Sequence, residues 1–348
     1  MNIPSDLLSQ FPEEHSEAKD TSIMTDDAIM RRVLQDFGPV EAMRVMREAA
    51  DAAATECHNR AHELGRMSFE EFSEGVFTLV IPECHSGFYH GAIEAYFRKN
   101  GTARLAQNLR KICTENLNGF FAHQCLHGIG HGLMAWSDYA LPDALEYCNL
   151  IPESGGQSSC RTGVFMENIV GSLNDSKQAA LLGHISTYVS DDPHYPCTVV
   201  KDEYKYDCYY LQTDRMSDLA QGDFEIVTRN CEDAPEEYRH ACFQSMGRTI
   251  SGMFRGNPEE ELRACSFALE RDHRIECMLG AGQDTFWDPG GEDLALAYCQ
   301  AVPAEEGQAE CYAMIITRSR EILSEAEQTR FCKNLPRIYV TDCLSQES

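Results

Sequence analysis

The chain has 348 residues, 43% of them hydrophobic, and carries a formal charge of −27 at pH 7. This composition indicates a globular protein rather than a disordered chain, and the length fits two ordinary domains or one elongated repeat array. The negative charge argues against a nucleic-acid partner, whose phosphates require a basic surface. No stretch reaches 18 apolar residues, so we expect no segment inserted in a membrane.

The N-terminal part of the sequence predicts a flexible segment at residues 1–25, which is polar and acidic and has no apolar core of a signal peptide. A helical stretch is predicted from about Asp27 to Gly65, where the alanine-rich segment EAMRVMREAADAAATE has high helix propensity. We divide the rest into a His-rich helical region at 26–138 and Cys-paired helical hairpins at 139–348.

Sixteen cysteines follow a regular pattern. From Cys113 onward they form seven couples separated by 11 or 12 positions, and from Cys197 the couples restart every 33 or 34 residues. An even number at fixed spacing indicates a disulfide framework, which an oxidising compartment maintains; sixteen buried reduced thiols are the alternative. The predicted bridges are the seven couples Cys113–Cys125, Cys148–Cys160, Cys197–Cys208, Cys231–Cys242, Cys265–Cys277, Cys299–Cys311 and Cys332–Cys343. The two cysteines left over make an eighth predicted pair, Cys57–Cys84.

The cysteine pattern also bears on cofactors and location. No C-x-x-C occurs, which argues against a thioredoxin-type redox pair, four-cysteine zinc sites, iron–sulfur clusters and c-type haem attachment. We expect an extracytoplasmic protein, periplasmic or secreted, whose signal peptide has been removed.

Each cysteine couple lies in a predicted helical hairpin. A first helix ends near the first Cys (ALEYC, LRAC, TRFC), a turn follows, and the second Cys opens a second helix (CFQSMGRTISGMF). Two such helices and their turns fill a period of about 34 residues, which predicts an all-α fold of the α-solenoid type. An insertion around Ser172–Pro196 should interrupt the stack. Close approach of neighbouring helices is expected at the small residue three positions after the second Cys: Gly87, Gly128, Gly163, Ser245 and Gly280.

The period and hairpin pattern resemble tetratricopeptide and Sel1-like repeats over about residues 100–348. The Trp/Leu/Gly/Tyr/Ala/Pro consensus of those repeats is not readable in this sequence, and the cysteine couples are an addition to it. The resemblance implies a curved stack whose concave surface binds a ligand. It carries no catalytic residue over to this chain.

Histidine is unevenly distributed, because seven of the twelve lie between positions 58 and 131. Three i,i+4 spacings, 58/62, 123/127 and 127/131, place imidazoles on one face of a helix, where they can share a metal ion. A single such pair is usually ordinary, whereas three clusters beside cysteines (CHNRAH, CHSGFYH, CLHGIGH) indicate a metal site. The predicted ligands are His58, His62, His85, His90, His123, His127 and His131.

The nature of the predicted ligands bears on the metal. Imidazole suits zinc, copper, iron and nickel, and the absence of H-E-x-x-H removes the zinc-protease template. Because this many imidazoles exceed the needs of one tetrahedral zinc, copper or iron is favoured, with zinc as an alternative and one or two ions bound. Glu94 and Glu167 are candidate ligands, bases or second-shell partners, and Tyr89 is a candidate active-site phenol. An ordinary structural role is the alternative for each of the three.

These features favour an exported metalloenzyme that acts on a small molecule or peptide in the concave groove. In a redox version the metal activates dioxygen; in a hydrolytic version Glu94 or Glu167 is the base. The ligand type favours redox chemistry. A non-catalytic disulfide-rich scaffold for protein binding and a metal-storage or trafficking protein are the alternatives. No feature of the sequence sets the oligomeric state.

Overall fold

The computed structural model describes residues 21–53, 57–79, 81, 84, 87–101, 112–113, 119–173, 186–287 and 290–345. These residues form an all-helical fold without strands, as predicted. Their α-helices up to the predicted insertion are α1 Asp27–Phe37, α2 Pro39–Ala53, α3 His58–Phe72, α4 Gly87–Asn100, α5 Gly119–Trp136, α6 Leu141–Cys148 and α7 Ser154–Leu173. Those that follow are α8 Asp202–Tyr209, α9 Thr213–Leu219, α10 Phe224–Asp233, α11 Arg239–Phe254, α12 Pro258–Cys265, α13 Arg271–Thr285, α14 Glu292–Ala301, α15 Gln308–Ile322, α16 Glu325–Asn334 and α17 Arg337–Leu344.

Two predicted segments fall largely outside the described residues. Of the flexible segment at 1–25 only the last five residues are described, and of the insertion the part at 174–185 is not. The division of the chain at residue 138 stays a prediction. None of the described helices combines the length and the apolar character that crossing a membrane requires.

The helical stretch predicted from Asp27 to Gly65 consists of three separate helices. The Asp26 carboxylate caps α1 by accepting hydrogen bonds from the backbone N–H groups of Ala28 and Ile29. Helix α1 ends where Gly38 adopts a φ of 83°, which glycine reaches without steric cost, and Pro39 then begins α2. Composition predicted the helices correctly, but this Gly-Pro pair breaks their continuity.

All eight predicted disulfide bridges are present, and together they include every cysteine of the chain. The Cα atoms of each pair lie 5.3–5.7 Å apart. Seven bridges span only 11 or 12 residues, and on the chain-entropy model each stabilises the fold by about 3 kcal/mol. So many bridges indicate an oxidising, extracytoplasmic environment.

The second cysteine of a couple lies inside its helix rather than at the helix start. Cys160 follows the beginning of α7 by six residues, and Cys277 stands at the same distance from the beginning of α13. At the start of α7 the glycines of the SGGQ segment favour a turn when the sequence alone is considered. They form the first helical turn instead, where Gly155 is exposed and has open space around it.

Glycines bring neighbouring helices into backbone contact. A Cβ atom at Gly163 on α7 would lie 1.9 Å from the carbonyl oxygen of His127 on α5, which leaves no room for any side chain. The same contact recurs between Gly91 and His62 (1.8 Å) and between Gly280 and Gln244 (2.0 Å). The pairs α3/α4, α5/α7 and α11/α13 therefore pack side by side at the distance that only glycine permits.

The remaining positions of the predicted small-residue column are also contact points. Gly87 lies against the His58 backbone, and Gly128 lies against the side chains of His90 and Ile93. Ser245 is fully buried and is hydrogen-bonded to Thr213 at 2.5 Å.

Helix α5 also touches the C-terminal part of the chain. Phe120, in its first turn, belongs to the hydrophobic core formed by helices α13–α17. Its ring centroid lies 5.7 Å from that of Trp287, and the guanidinium of Arg318 on α15 covers both rings at 5.3 and 5.5 Å. This contact ties the His-rich helix to residues nearly two hundred positions later.

A buried carboxyl group on α12 predicts a pH dependence of stability. Glu261 is 1% exposed, and one of its carboxylate oxygens has no hydrogen-bond partner among the described residues. Burial, reinforced by the charge of Asp284, raises the pKa of Glu261 to about 7. The folded protein therefore binds this proton more tightly than the unfolded chain does. Protonation of Glu261 contributes to the free energy of unfolding in full below about pH 4.5, and this contribution is lost as the pH rises through 7.

We expect Glu261→Gln to raise the free energy of unfolding at pH 8 by up to about 3 kcal/mol and to change it little at pH 4. Denaturant titrations at both pH values measure the difference. Glu259→Gln, on the exposed side of the same helix, is the matched control. An equal shift of the Glu261 variant at both pH values would contradict the prediction.

Candidate metal centre

Five histidines from three helices converge in the N-terminal half of the described chain. The first histidine group consists of His58 and His62 on α3 and His90 on α4; the second consists of His90 with His127 and His131 on α5. Within each group the candidate ligand atoms lie within 4.8 Å of one another. Each group therefore has the composition and compactness of a metal site.

In the first group, backbone and carboxylate oxygens fix which ring nitrogen carries the proton. His58 Nδ1 lies 2.8 Å from the carbonyl oxygen of Cys84, and His62 Nδ1 lies 3.0 Å from Oε1 of Glu94. Both oxygens can only accept a hydrogen bond, so each Nδ1 must donate one. In the neutral form of either ring, Nε2 is then the nitrogen without a proton.

In the second group, oxygen acceptors again determine which ring nitrogen carries the proton. His131 Nδ1 lies 2.8 Å from Oε2 of Glu167, and His127 Nδ1 lies 3.0 Å from Oγ1 of Thr162. The Thr162 hydroxyl already donates to the carbonyl oxygen of Ser159 at 2.8 Å, so it accepts from the imidazole. The Nε2 atoms of His127 and His131 therefore also carry lone pairs.

These lone pairs face each other at short distance. His58 Nε2 and His62 Nε2 are 3.1 Å apart, and His127 Nε2 and His131 Nε2 are 3.2 Å apart. Two unprotonated nitrogens repel at this distance unless a cation lies between them. Tetrahedral coordination with metal–nitrogen bonds of 2.0–2.1 Å places two ligand nitrogens about 3.3 Å apart. The spacing therefore fits two imidazoles that share one cation.

Glu94 and Glu167 each accept a hydrogen bond from one histidine of the groups. Burial alone would raise the pKa of Glu94, but the hydrogen bond and charge of His62 and the guanidinium of Arg66, 2.8 Å away, lower it to about 2. Burial likewise opposes ionisation of Glu167, yet the hydrogen bond to His131 outweighs it and lowers the pKa. The second oxygen of Glu167 accepts a hydrogen bond of 2.8 Å from the Tyr139 hydroxyl.

Two histidines of the second group, His90 and His127, are held neutral. Burial, followed by the charges of the neighbouring imidazoles, lowers the pKa of His90 and of His127 well below the ordinary value. A neutral imidazole with a defined tautomer is the form that binds a metal. The carboxylates that orient the rings also supply negative charge beside the positions where cations would bind.

His123 and Tyr89 belong to neither histidine group. His123 is one turn before His127, and its Nδ1 lies 2.5 Å from the Ser159 hydroxyl. Burial and the charge of Arg318 lower the pKa of His123 to about 4. Tyr89 is fully buried, and its hydroxyl bonds to the backbone of Leu79 and Ile81. His85 lies outside the described residues.

Several residues that support the site were not predicted from the sequence. Arg66 continues the i,i+4 stripe of His58 and His62, so helical spacing alone could have indicated it. Thr162, Tyr139 and the carbonyl of Cys84 come from other segments of the chain, and no local pattern marks them.

Neutralising Glu167 tests the supporting role of the carboxylates. We expect Glu167→Gln to weaken metal binding by roughly 10- to 100-fold, because the amide holds the His131 ring without the carboxylate charge. Titration of the metal-free protein with Zn²⁺ by calorimetry measures the change. Asp143→Asn removes one charge from the exposed side of α6 and serves as the control. Equal affinities for both variants would contradict the assignment.

No protein-family model, curated protein or solved structure matches this chain. Its functional class therefore has to be inferred from its own side chains. Among the described residues these provide two histidine groups able to hold a metal ion, within a disulfide-bridged helical fold.

Proposed function

We propose that this protein is an exported metalloprotein, built from helical-hairpin repeats, whose buried histidines bind one or two transition-metal ions for redox chemistry. The observation that carries the proposal is the approach of two histidine Nε2 atoms to 3.1 Å in the first group and 3.2 Å in the second. Copper or iron is favoured and zinc is the alternative, since the candidate ligands are all imidazoles.

The repeat architecture is supported by contacts that recur along the chain. The glycine-to-carbonyl contact of α3/α4 occurs again in α5/α7 and in α11/α13. In the third of these pairs the position of the histidine is taken by Gln244, whose amide donates to Glu276 at 2.6 Å. The same packing thus occurs with and without imidazoles, as expected for a stack of Sel1-like or tetratricopeptide-type units in which only the N-terminal ones carry the metal.

Redox chemistry is favoured over hydrolysis by the state of the two carboxylates. A hydrolytic metal site needs a free base beside the activated water. Glu94 already accepts from His62 and Arg66, and Glu167 accepts from His131 and Tyr139. Because both carboxylates are engaged, the site fits an all-nitrogen ligand set that activates dioxygen better than it fits a hydrolytic centre.

A substrate would reach the metal from the side of α3. The His62 side chain is 13% exposed, whereas His90 and His131 are 1% and 2% exposed. Further along the stack, Arg248 and Asp214 form an ion pair of 2.7 Å and supply polar groups for a small molecule or peptide in the groove. The acidic net charge makes nucleic acid an unsuitable partner.

The burial of the second histidine group favours one alternative, a structural or stored metal in a non-catalytic scaffold. A metal held by residues that are at most 6% exposed is shielded from substrate. The two functions differ in coordination, because a catalytic metal keeps an open position and a structural one does not.

Elemental analysis of the purified protein, combined with optical and EPR spectra, tests the proposal. We expect near-stoichiometric copper or iron whose spectrum changes when a small anion such as azide is added. A closed zinc site without response to azide would favour the scaffold, and a protein that binds no transition metal would refute a metal function. Export is tested by cell fractionation together with thiol titration of the unfolded, unreduced protein; reactive thiols in quantity would contradict it.

A further inference from the structure

His90 lies between the two histidine groups and belongs to both. Its Nδ1 is 3.2 Å from Nε2 of His62 in the first group. Its Nε2, on the other edge of the ring, is buried and has no hydrogen-bond partner in the part of the chain that the structure describes. The ring centroid lies 4.1 Å from that of His131 and 5.8 Å from that of His127. One buried imidazole is therefore in reach of both candidate cation positions.

A ligand would satisfy the unpartnered Nε2 atom of His90. The other four histidines of the groups each satisfy Nδ1 with an oxygen acceptor and direct Nε2 inward. Among the described residues neither nitrogen of His90 meets an oxygen acceptor, and its 1% exposure leaves little access to water. A buried polar atom without a hydrogen-bond partner destabilises the folded state. A cation at each edge of the ring would satisfy both nitrogens.

We propose that His90 bridges two metal ions, with Nδ1 bound to the cation of the first group and Nε2 bound to the cation of the second. This inference rests on the proposed metal function and specifies its centre. A neutral imidazole carries one N–H, so binding at both nitrogens releases that proton to solvent and leaves an imidazolate. No atom is oxidised or reduced in this step.

The ring orientations indicate the order of loading. In the first group the three rings stand 70°, 74° and 77° to one another, so their in-plane lone pairs can converge on one point. In the second group the rings of His90 and His131 are nearly parallel, at 16°, and their lone pairs run side by side. Binding there requires one ring to turn. The first group should therefore bind its cation first, and the second should follow at higher metal concentration.

Stepwise addition of Cu²⁺ to the metal-free protein, followed by EPR, tests the bridge. The first equivalent should give a signal that accounts for all the copper. The second should abolish most of that signal, because an imidazolate couples two Cu²⁺ spins antiferromagnetically. In His90→Ala the signal should account for all bound copper at every step. His123→Ala, in the same helix as two of the ligands but outside both groups, should behave like the wild type.

The outcomes separate the bridge from the metal function. Two bound ions with full EPR intensity, or only one bound ion, would overturn the bridge and leave a histidine metal site in place. Loss of signal that persists in a folded His90→Ala protein would assign the coupling to another ligand and also overturn it. Absence of any copper binding would refute both proposals. If the His90 variant does not fold, the wild-type titration alone decides between these outcomes.

Discussion

Replacing His127 and His131 together with alanine is expected to abolish metal binding by the second histidine group and to leave the first group loaded. Both Nε2 atoms of that group's close pair, 3.2 Å apart, disappear with the substitution. Metal content per chain should therefore fall by half in a protein that binds two ions. Elemental analysis after dialysis measures this directly.

The thermodynamic consequence is equally large. A ligand present at a hundred times its dissociation constant stabilises the native state by about 2.7 kcal/mol. The double variant should lose that increment for one ion, which appears as a smaller rise of the unfolding midpoint when metal is added. His123→Ala is the matched control, because this histidine lies on the same helix and bonds to Ser159 instead. A metal content and a metal-induced stabilisation equal to the control would refute the site.

The second large effect is expected from a substitution of Gly163, although this glycine touches no side chain of a candidate metal ligand. In Gly163→Ala the new Cβ would lie 1.9 Å from the carbonyl oxygen of His127, so α5 and α7 must move apart. Overpacking of this kind costs about 1–3 kcal/mol or more. The movement also lengthens the His127–Thr162 and His131–Glu167 hydrogen bonds that orient the ligands.

We therefore expect Gly163→Ala to lower both the unfolding midpoint and the metal affinity. Gly155→Ala, two helical turns earlier in α7, is the control, since its Cβ meets nothing within 4 Å. That variant should be neutral or stabilised by up to about 1 kcal/mol from helix propensity. Chemical denaturation with and without Zn²⁺ distinguishes them, and a Gly163 variant as stable as the Gly155 variant would contradict the packing argument.

The disulfide pairing could be predicted because it is local. A couple separated by 11 or 12 residues can close across a single turn between two helices, so sequence spacing selected seven bridges correctly, and the eighth followed because Cys57 and Cys84 were the two cysteines left. The all-α class was predictable for the same reason, since hairpin, turn and period are properties of adjacent residues. The break at Gly38 was missed because one backbone dihedral angle ends a helix that composition favours.

The candidate site was only partly predictable. The i,i+4 rule gave both close pairs, 58/62 and 127/131, because helical geometry fixes which imidazoles share a face. It could not distinguish His123 from His127, which obey the same rule on the same helix. What separates them is the neighbour that each one meets: Thr162 orients His127 towards the group, whereas Ser159 holds His123 outside it. Such contacts depend on how α5 and α7 dock, and no local spacing encodes that docking.

The short span of the bridges has a consequence for biogenesis. Except for Cys57 and Cys84, which are 27 positions apart, each cysteine finds its partner within a dozen residues. On the proposed export route, a unit can therefore oxidise as soon as its own turn emerges, before later units arrive to offer wrong partners. A chain with sixteen thiols has very many possible pairings, yet vectorial emergence reduces the choice at each moment to the nearest neighbour. Correct maturation should thus depend more on an oxidant at the exit site than on an isomerase that reshuffles mistakes.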